Sequence, residues 1–197
     1  MNFLAHLYLS KDNKNILIGN FIADAVKGKK HENYPKEIQA GILLHRQIDY
    51  FTDTHPIARK SKRRLHERYD HYDGVIIDIL YDHFLAKNWL NYSEIPLEIY
   101  AKNVYSFFQE NIGILPPEMQ RLLPYMIDYN WLVGYASIAG IEKTLIGMNK
   151  RTKGISKMDL AIEDLIKHYD EFELDFTAFF NDLIAFTDEK TKELLLR

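Results

Sequence analysis

The 197 residues suit a single domain, 1–197, and with 47% hydrophobic and 13% aromatic residues they can bury a large core. A charged fraction of 27% and a net charge of -3 describe an ordinary water-facing surface. There is no cysteine, which excludes disulfides, thiol nucleophiles and thiolate metal sites, so any metal must be held by His, Asp and Glu. Such a donor set favours Mg²⁺ and Mn²⁺, with Zn²⁺ also possible.

The opening stretch, Met1 to Ser10, lacks the leading basic residues of a signal peptide. No apolar run approaches the ~18–20 residues that span a membrane. A cytoplasmic protein is expected. Residues 2–10 read as a buried helix carrying His6 among Phe3, Leu7 and Tyr8. Asn15 to Lys27 follows with apolar residues at helical spacing, carries Asp24, and is expected to stop at Gly28.

Pro35 opens a helix with a stripe of unusual composition. At roughly 100° per residue, His45, Asp49 and Asp53 drift only about 40° per step, so they share one face. Ile42 and Ile48 flank it and must be buried, and polar groups cost several kcal/mol to bury unless paired or bound to a metal. Arg46 stands one position round from His45, within reach of an anion bound there. Pro56 ends the pattern. From Arg59 to Arg68, six of ten residues are Lys or Arg, and on a mildly acidic chain Arg59, Lys60, Lys62, Arg63 and Arg64 read as a docking surface for an anionic partner or as a solvated helix face. Nucleic acid ranks low, because aromatic interleaving is missing and the net charge is negative.

Asp73-Gly74 reads as a turn, and Val75 to Trp89 as a helix apolar on every side, hence buried. Embedded in it are Asp78, Asp82 and His83. Asp78 and Asp82 are i, i+4 neighbours that would repel each other without a cation. Helices are also expected over 100–111, over 117–148 with a break near 125–129, and over 158–187, where Phe172, Phe176, Phe179, Phe180 and Phe186 are core. His31, His66 and His71 read as surface residues, and His55 as a cap or an outer-shell group. No period-2 strand, repeat or linker interrupts the chain, so the fold class expected is all-α, a multi-helix bundle.

His6, Asp24, His45, Asp49, Asp78, Asp82 and His83 fall on four helices, and helical bundles build metal sites by aiming side chains inward from facing helices. A bound divalent ion clamps phosphate oxygens and lowers the pKa of water, which suits phosphoester hydrolysis, and Arg46 could neutralise the phosphoryl oxygens. Neither a Gly-x-Ser-x-Gly elbow nor a Gly-rich phosphate loop is present.

Several stretches together resemble the acyl carrier protein phosphodiesterases. They are Met1 to Ser10, Gly19-Asn20-Phe21-Ile22-Ala23-Asp24, Leu44-His45-Arg46-Gln47-Ile48-Asp49, Phe51-Thr52-Asp53 with His55-Pro56, and Tyr81-Asp82-His83-Phe84-Leu85-Ala86 with Trp89. Trp131-Leu132, Tyr135 and Gly140-Ile141 before Arg151 extend the match along most of the chain. The resemblance implies a fold like the helical HD-type metal phosphohydrolases. It implies hydrolysis of the phosphodiester joining 4′-phosphopantetheine to a serine of holo acyl carrier protein, with a divalent cation, typically Mn²⁺. That small acidic carrier protein would suit the Arg59 to Arg68 run. HD enzymes are named for an adjacent His-Asp pair; here the order is inverted at Asp82-His83, while His45 and Asp49 are a turn apart. The expected metal ligands are Asp24, His45, Asp49, Asp82, His83 and His6, and the expected catalytic groups are Asp49, Asp78 and Arg46. The alternatives are an HD-type enzyme for a nucleotide or other small phosphoester, and a non-enzymatic helical interaction protein.

Overall fold

A computed structural model describes residues 1–196, in which eleven α-helices and short 3-10 turns occur and no strand. The all-α expectation holds. The first five helices are α1 (Phe3–Tyr8), α2 (Lys14–Ile22), α3 (Lys36–Thr54), α4 (Pro56–Tyr69) and α5 (Asp73–Lys87). They are followed by α6 (Leu97–Glu110), α7 (Pro117–Asp128), α8 (Trp131–Gly134), α9 (Ile138–Arg151), α10 (Ala161–Lys167) and α11 (Tyr169–Leu195). Among the described residues no helix is long and apolar enough to cross a membrane.

Local chemistry sets the boundaries. The Asn13 side chain accepts from the Asn15 and Ile16 amides and starts α2. His55 is a cap: its Nδ1 accepts from the Ile57 amide, with Pro56 as the first residue of α4. α2 ends earlier than expected, at Ile22, and a 3-10 turn over Ala23–Ala25 carries Asp24. Arg46 holds the segment beyond it: its guanidinium donates to the Val26 and Gly28 carbonyls at 2.8 and 2.9 Å and satisfies backbone that has left the helical ladder.

Asp73 and Gly74 are not a turn but the first turn of α5. The reversal comes earlier, at Asp70 with φ +48°, and the Asp73 carboxylate meets His66 Nδ1 at 2.8 Å. The expected 117–148 helix is three helices, broken at Asn130 in the left-handed region and restarted by the Ser137 cap. The last expected helix is likewise two, α10 and α11, divided at His168.

α5 runs through the middle, with ten of its fifteen residues buried, and one apolar cluster surrounds it. Phe172, Phe176, Phe179 and Phe180 of α11 are buried in that cluster, while Phe186 is half-buried at its edge. α2 and α3 touch backbone to backbone through Gly19 and Gly41. A Cβ on Gly19 would strike the Ile38 carbonyl, and one on Gly41 would strike the Ile16 carbonyl. This contact brings the Asp24 turn beside the His45 stripe.

The basic run of α4 splits into two faces. Lys60 and Arg64 bind Asp175 of α11 at 2.9 and 2.6 Å, and Arg68 binds Glu163 and Asp164 of α10. On the other side, Arg59 donates to the Asp53 carbonyl and Lys62 meets the Asp53 carboxylate at 2.6 Å, while Arg63 is exposed. Of the five residues expected to dock a partner, Lys60 and Arg64 therefore staple α4 to α11, and Arg59 and Lys62 tie it to Asp53 of α3.

Candidate active site

The site is built where α1, α3 and the Asp24 turn meet the start of α5. His6 and His45 lie face to face, their ring centroids 3.8 Å apart and nearly parallel. Nε2 of His6 lies 3.2 Å from Asp49 Oδ1, and Nε2 of His45 lies 3.2 Å from Asp49 Oδ2 and 3.4 Å from Asp24 Oδ1. Ligand atoms of His6, His45 and Asp49 all fall within 4.8 Å of one another.

Both histidines are buried, whereas the Asp24 side chain is 79% exposed at the mouth of a cleft. That cleft encloses about 350 Å³ and is lined by Asp24, His45, Asp49, Asp53, His71 and Asp78, among others. Four carboxylates facing one cavity repel an anionic substrate unless a cation sits among them. The Met1 α-ammonium is one neighbour, 3.1 Å from Asp78 and 3.5 Å from Asp49.

These neighbours bias the protonation states. Burial opposes charge on His45, but its hydrogen bonds to Asp24 and Asp49 prevail and raise its pKa to about 9. Burial, with the facing His45, lowers His6 to about 4. Burial also opposes charge on Asp49, yet the surrounding imidazoles and the Met1 ammonium outweigh it and hold that carboxyl far below the usual range. Asp78 is pushed upward by burial, against the pull of the ammonium.

A divalent cation fits this donor set: two imidazole nitrogens and carboxylate oxygens converge, with no soft ligand. A cation there would replace the proton that His45 Nε2 otherwise shares with Asp24 and Asp49.

Of the residues expected from sequence, His6, Asp24, His45 and Asp49 come together, and Asp78 faces the same cleft. The structure places Asp82, His83 and Arg46 elsewhere. Asp82 spends both oxygens on the first amides of α1, accepting from Leu4 at 2.7 Å and from Ala5 at 3.1 Å. His83 is engaged through Nδ1 with the Tyr135 carbonyl and through Nε2 with the Tyr169 hydroxyl. Arg46 is committed to the Val26 and Gly28 carbonyls, so it holds the Asp24 turn rather than standing free for a phosphate. The i, i+4 carboxylates of α5 thus settle their repulsion on the N-terminus of α1, Asp82 through two amides and Asp78 through the ammonium.

Sequence reasoning passed over two participants. His71 is exposed, as expected, but it lines the cleft. Asn20 is buried beside both histidines, and its signal was legible: an amide inside the apolar run Ile16 to Ile22 must find partners.

No solved structure matches this chain. Its similarity to curated proteins is extensive. It is 31% identical over 195 residues to an acyl carrier protein phosphodiesterase of Pectobacterium atrosepticum, covering 98% of this chain and 100% of that one. It is 32% identical over 194 residues to one of Photorhabdus laumondii, with 96% of each chain covered. It is 31% identical over 191 residues to one of Escherichia coli, covering 96% of this chain and 99% of that one. The family model for acyl carrier protein phosphodiesterase matches residues 1–183. With the model spanning nearly the whole chain and relatives above 30% identity end to end, the chain belongs to the acyl carrier protein phosphodiesterase family.

Proposed function

We propose that this protein hydrolyses the phosphodiester between 4′-phosphopantetheine and the serine of holo acyl carrier protein, releasing apo carrier protein, with a divalent cation, Mn²⁺ foremost, held by His6, His45 and Asp49. The convergence of their ligand atoms at the floor of an acidic cleft, in a member of this family, carries the reading. Asp24, whose carboxylate reaches His45 Nε2, completes the set. The bound cation supplies charge neutralisation for the phosphoryl oxygens.

The chain's own groups divide the remaining work. Asp49 stays ionised and turns its two oxygens toward the two Nε2 atoms, where it would share the cation with them. Asp78, facing the cleft with its carboxyl pushed upward, takes the proton of the attacking water. The water oxygen bonds to phosphorus as the bond from phosphorus to the serine oxygen breaks, and the leaving serine oxygen takes up the proton that Asp78 received. Arg46 contributes by holding the Asp24 turn. Arg59 and Arg63, on the α4 face that borders Asp53, meet the acidic carrier protein in the cytoplasm, whereas Lys62 neutralises Asp53 and Lys60 and Arg64 serve the fold. Paired imidazoles and carboxylates on neighbouring helices support kinship with the HD-type phosphohydrolases.

The test is the mass of holo acyl carrier protein after incubation with this protein and Mn²⁺, repeated with a chelator. Loss of the phosphopantetheine mass with metal, and its retention with chelator, are expected. An unchanged carrier mass in the presence of Mn²⁺ overturns the proposal.

A further inference from the structure

One residue reaches both rings of the histidine stack. Asn20, 1% exposed, comes from α2 and lies behind His6 and His45, on the side away from Asp49. Its side-chain Nδ2 donates to the His6 carbonyl at 2.8 Å and to Ser10 Oγ at 3.0 Å. A carbonyl oxygen can only accept, so that contact decides which end of the amide is nitrogen. Oδ1 is then the atom 2.9 Å from His6 Nδ1, and the His6 proton must reside on Nδ1. The main-chain carbonyl of Asn20 lies 2.9 Å from His45 Nδ1, and that nitrogen must carry a proton for the same reason.

The consequence falls on the opposite edge of each ring. With Nδ1 protonated, neutral His6 has its lone pair on Nε2, and His45 has one there once a cation replaces its second proton; both Nε2 atoms face Asp49. Around His6 Nε2 the other neighbour is the Met1 carbonyl at 3.1 Å, again an acceptor. Acceptors converging on a lone pair call for a positive centre between them. A ligating histidine commonly donates its other N–H to an oxygen that fixes its orientation, and loss of such a partner weakens metal binding by about 10–100-fold.

We propose that Asn20 is the positioning residue of the metal site. Its side-chain oxygen sets the tautomer and angle of His6, its main-chain oxygen does the same for His45, and both Nε2 lone pairs are thereby aimed at one divalent cation. This rests on the metal-binding reading above. It adds a division that can be separated experimentally: a side-chain change at Asn20 removes the partner of His6 and leaves that of His45 in place.

Mn²⁺ affinity, measured by titration calorimetry on folded full-length protein, reads this out without reference to turnover. Asn20→Leu is expected to weaken binding about 10–100-fold. Asn20→Asp keeps an acceptor for His6 Nδ1 while losing both amide donations, and it is expected to bind Mn²⁺ as the unaltered protein does, though it melts lower. In a His6→Ala background, adding Asn20→Leu is expected to cause no further loss. Unchanged affinity in Asn20→Leu, equal losses in the Leu and Asp variants, or an additive loss with His6→Ala would each overturn the assignment. Should Asn20→Leu not fold, imidazole ¹⁵N shifts of the unaltered Mg²⁺-loaded protein decide it: Nδ1–H in both rings is expected, and Nε2–H in either overturns it. Failure of the unaltered protein to bind Mn²⁺ overturns the metal site itself, and this inference with it.

Discussion

At the scale of single residues, the two stacked histidines titrate in opposite senses. His45 has a folded pKa of about 9 against 6.5 for the free side chain, because Asp24 and Asp49 hold its proton more strongly than burial opposes it. Its contribution to stability is therefore complete below about pH 6.5 and is lost as pH rises through 9. His6, lowered to about 4 by burial and by its neighbour, behaves in the opposite way. The unfolded chain takes up its proton first, so the contribution of neutral His6 is present above 6.5 and declines as pH falls toward 4. Thermal melts of chelated protein from pH 4 to 9.5 are expected to show His45→Gln flattening the alkaline decline and His6→Gln flattening the acidic one. A wild-type alkaline decline in His45→Gln would contradict the pairing with Asp24 and Asp49. A divalent cation bound as proposed at His45 Nε2 would displace its proton, so the apparent Mn²⁺ affinity is expected to rise with pH up to about 9.

At the scale of elements, α1 is only six residues long and depends on what receives its N-terminus. Asp82 supplies that, accepting two amides that no residue within α1 can satisfy. Asp82→Ala is expected to lower stability by about 1–2 kcal/mol, the range for losing a helix cap. It should also weaken Mn²⁺ binding, since α1 carries His6. His83→Ala is expected to cost about 1–3 kcal/mol through the unpaired Tyr135 carbonyl and Tyr169 hydroxyl, with Mn²⁺ affinity unaltered. Calorimetric titration beside denaturant melts separates the two variants; equal losses of affinity would contradict their different positions. At the α2–α3 crossing, Gly19→Ala has no open space for its methyl group, and overpacking of this kind costs about 1–3 kcal/mol.

For the whole molecule, the question is what the basic helix α4 does. Asp175 is buried and is held by Lys60, Arg64 and the Ser61 hydroxyl, so this face of α4 clamps α11 against the core. Arg64→Ala is expected to lower stability by about 1–3 kcal/mol, because it withdraws a charged partner from a buried carboxylate. The double change Arg59→Glu and Arg63→Glu is expected to leave the melting temperature within a few degrees. It should raise KM for holo acyl carrier protein, and turnover of a small phosphodiester such as bis-p-nitrophenyl phosphate should persist. Equal effects on both substrates would show that α4 does not receive the carrier protein.

What the chain declares by itself is its helical class and the one-face stripe of His45 and Asp49, since both follow from a 3.6-residue period and the cost of burying polar groups. The Asp73-Gly74 pair shows the limit of local signals: composition suggests a turn, but the bond from His66 and the reversal at Asp70 put both residues inside α5. α5 shows a deeper limit. Its period correctly assigns Asp78 and Asp82 to one face, yet i and i+4 lie about 6 Å apart along the axis. At that spacing Asp78 opens onto the cleft while Asp82 receives the end of α1. Likewise, helical spacing puts Arg46 beside His45, but only packing decides that the unwound segment after α2 claims its guanidinium. A helical period tells which side chains share a face; which neighbour covers that face is a long-range fact, settled by the Gly19–Gly41 crossing and by the docking of α1 on α5.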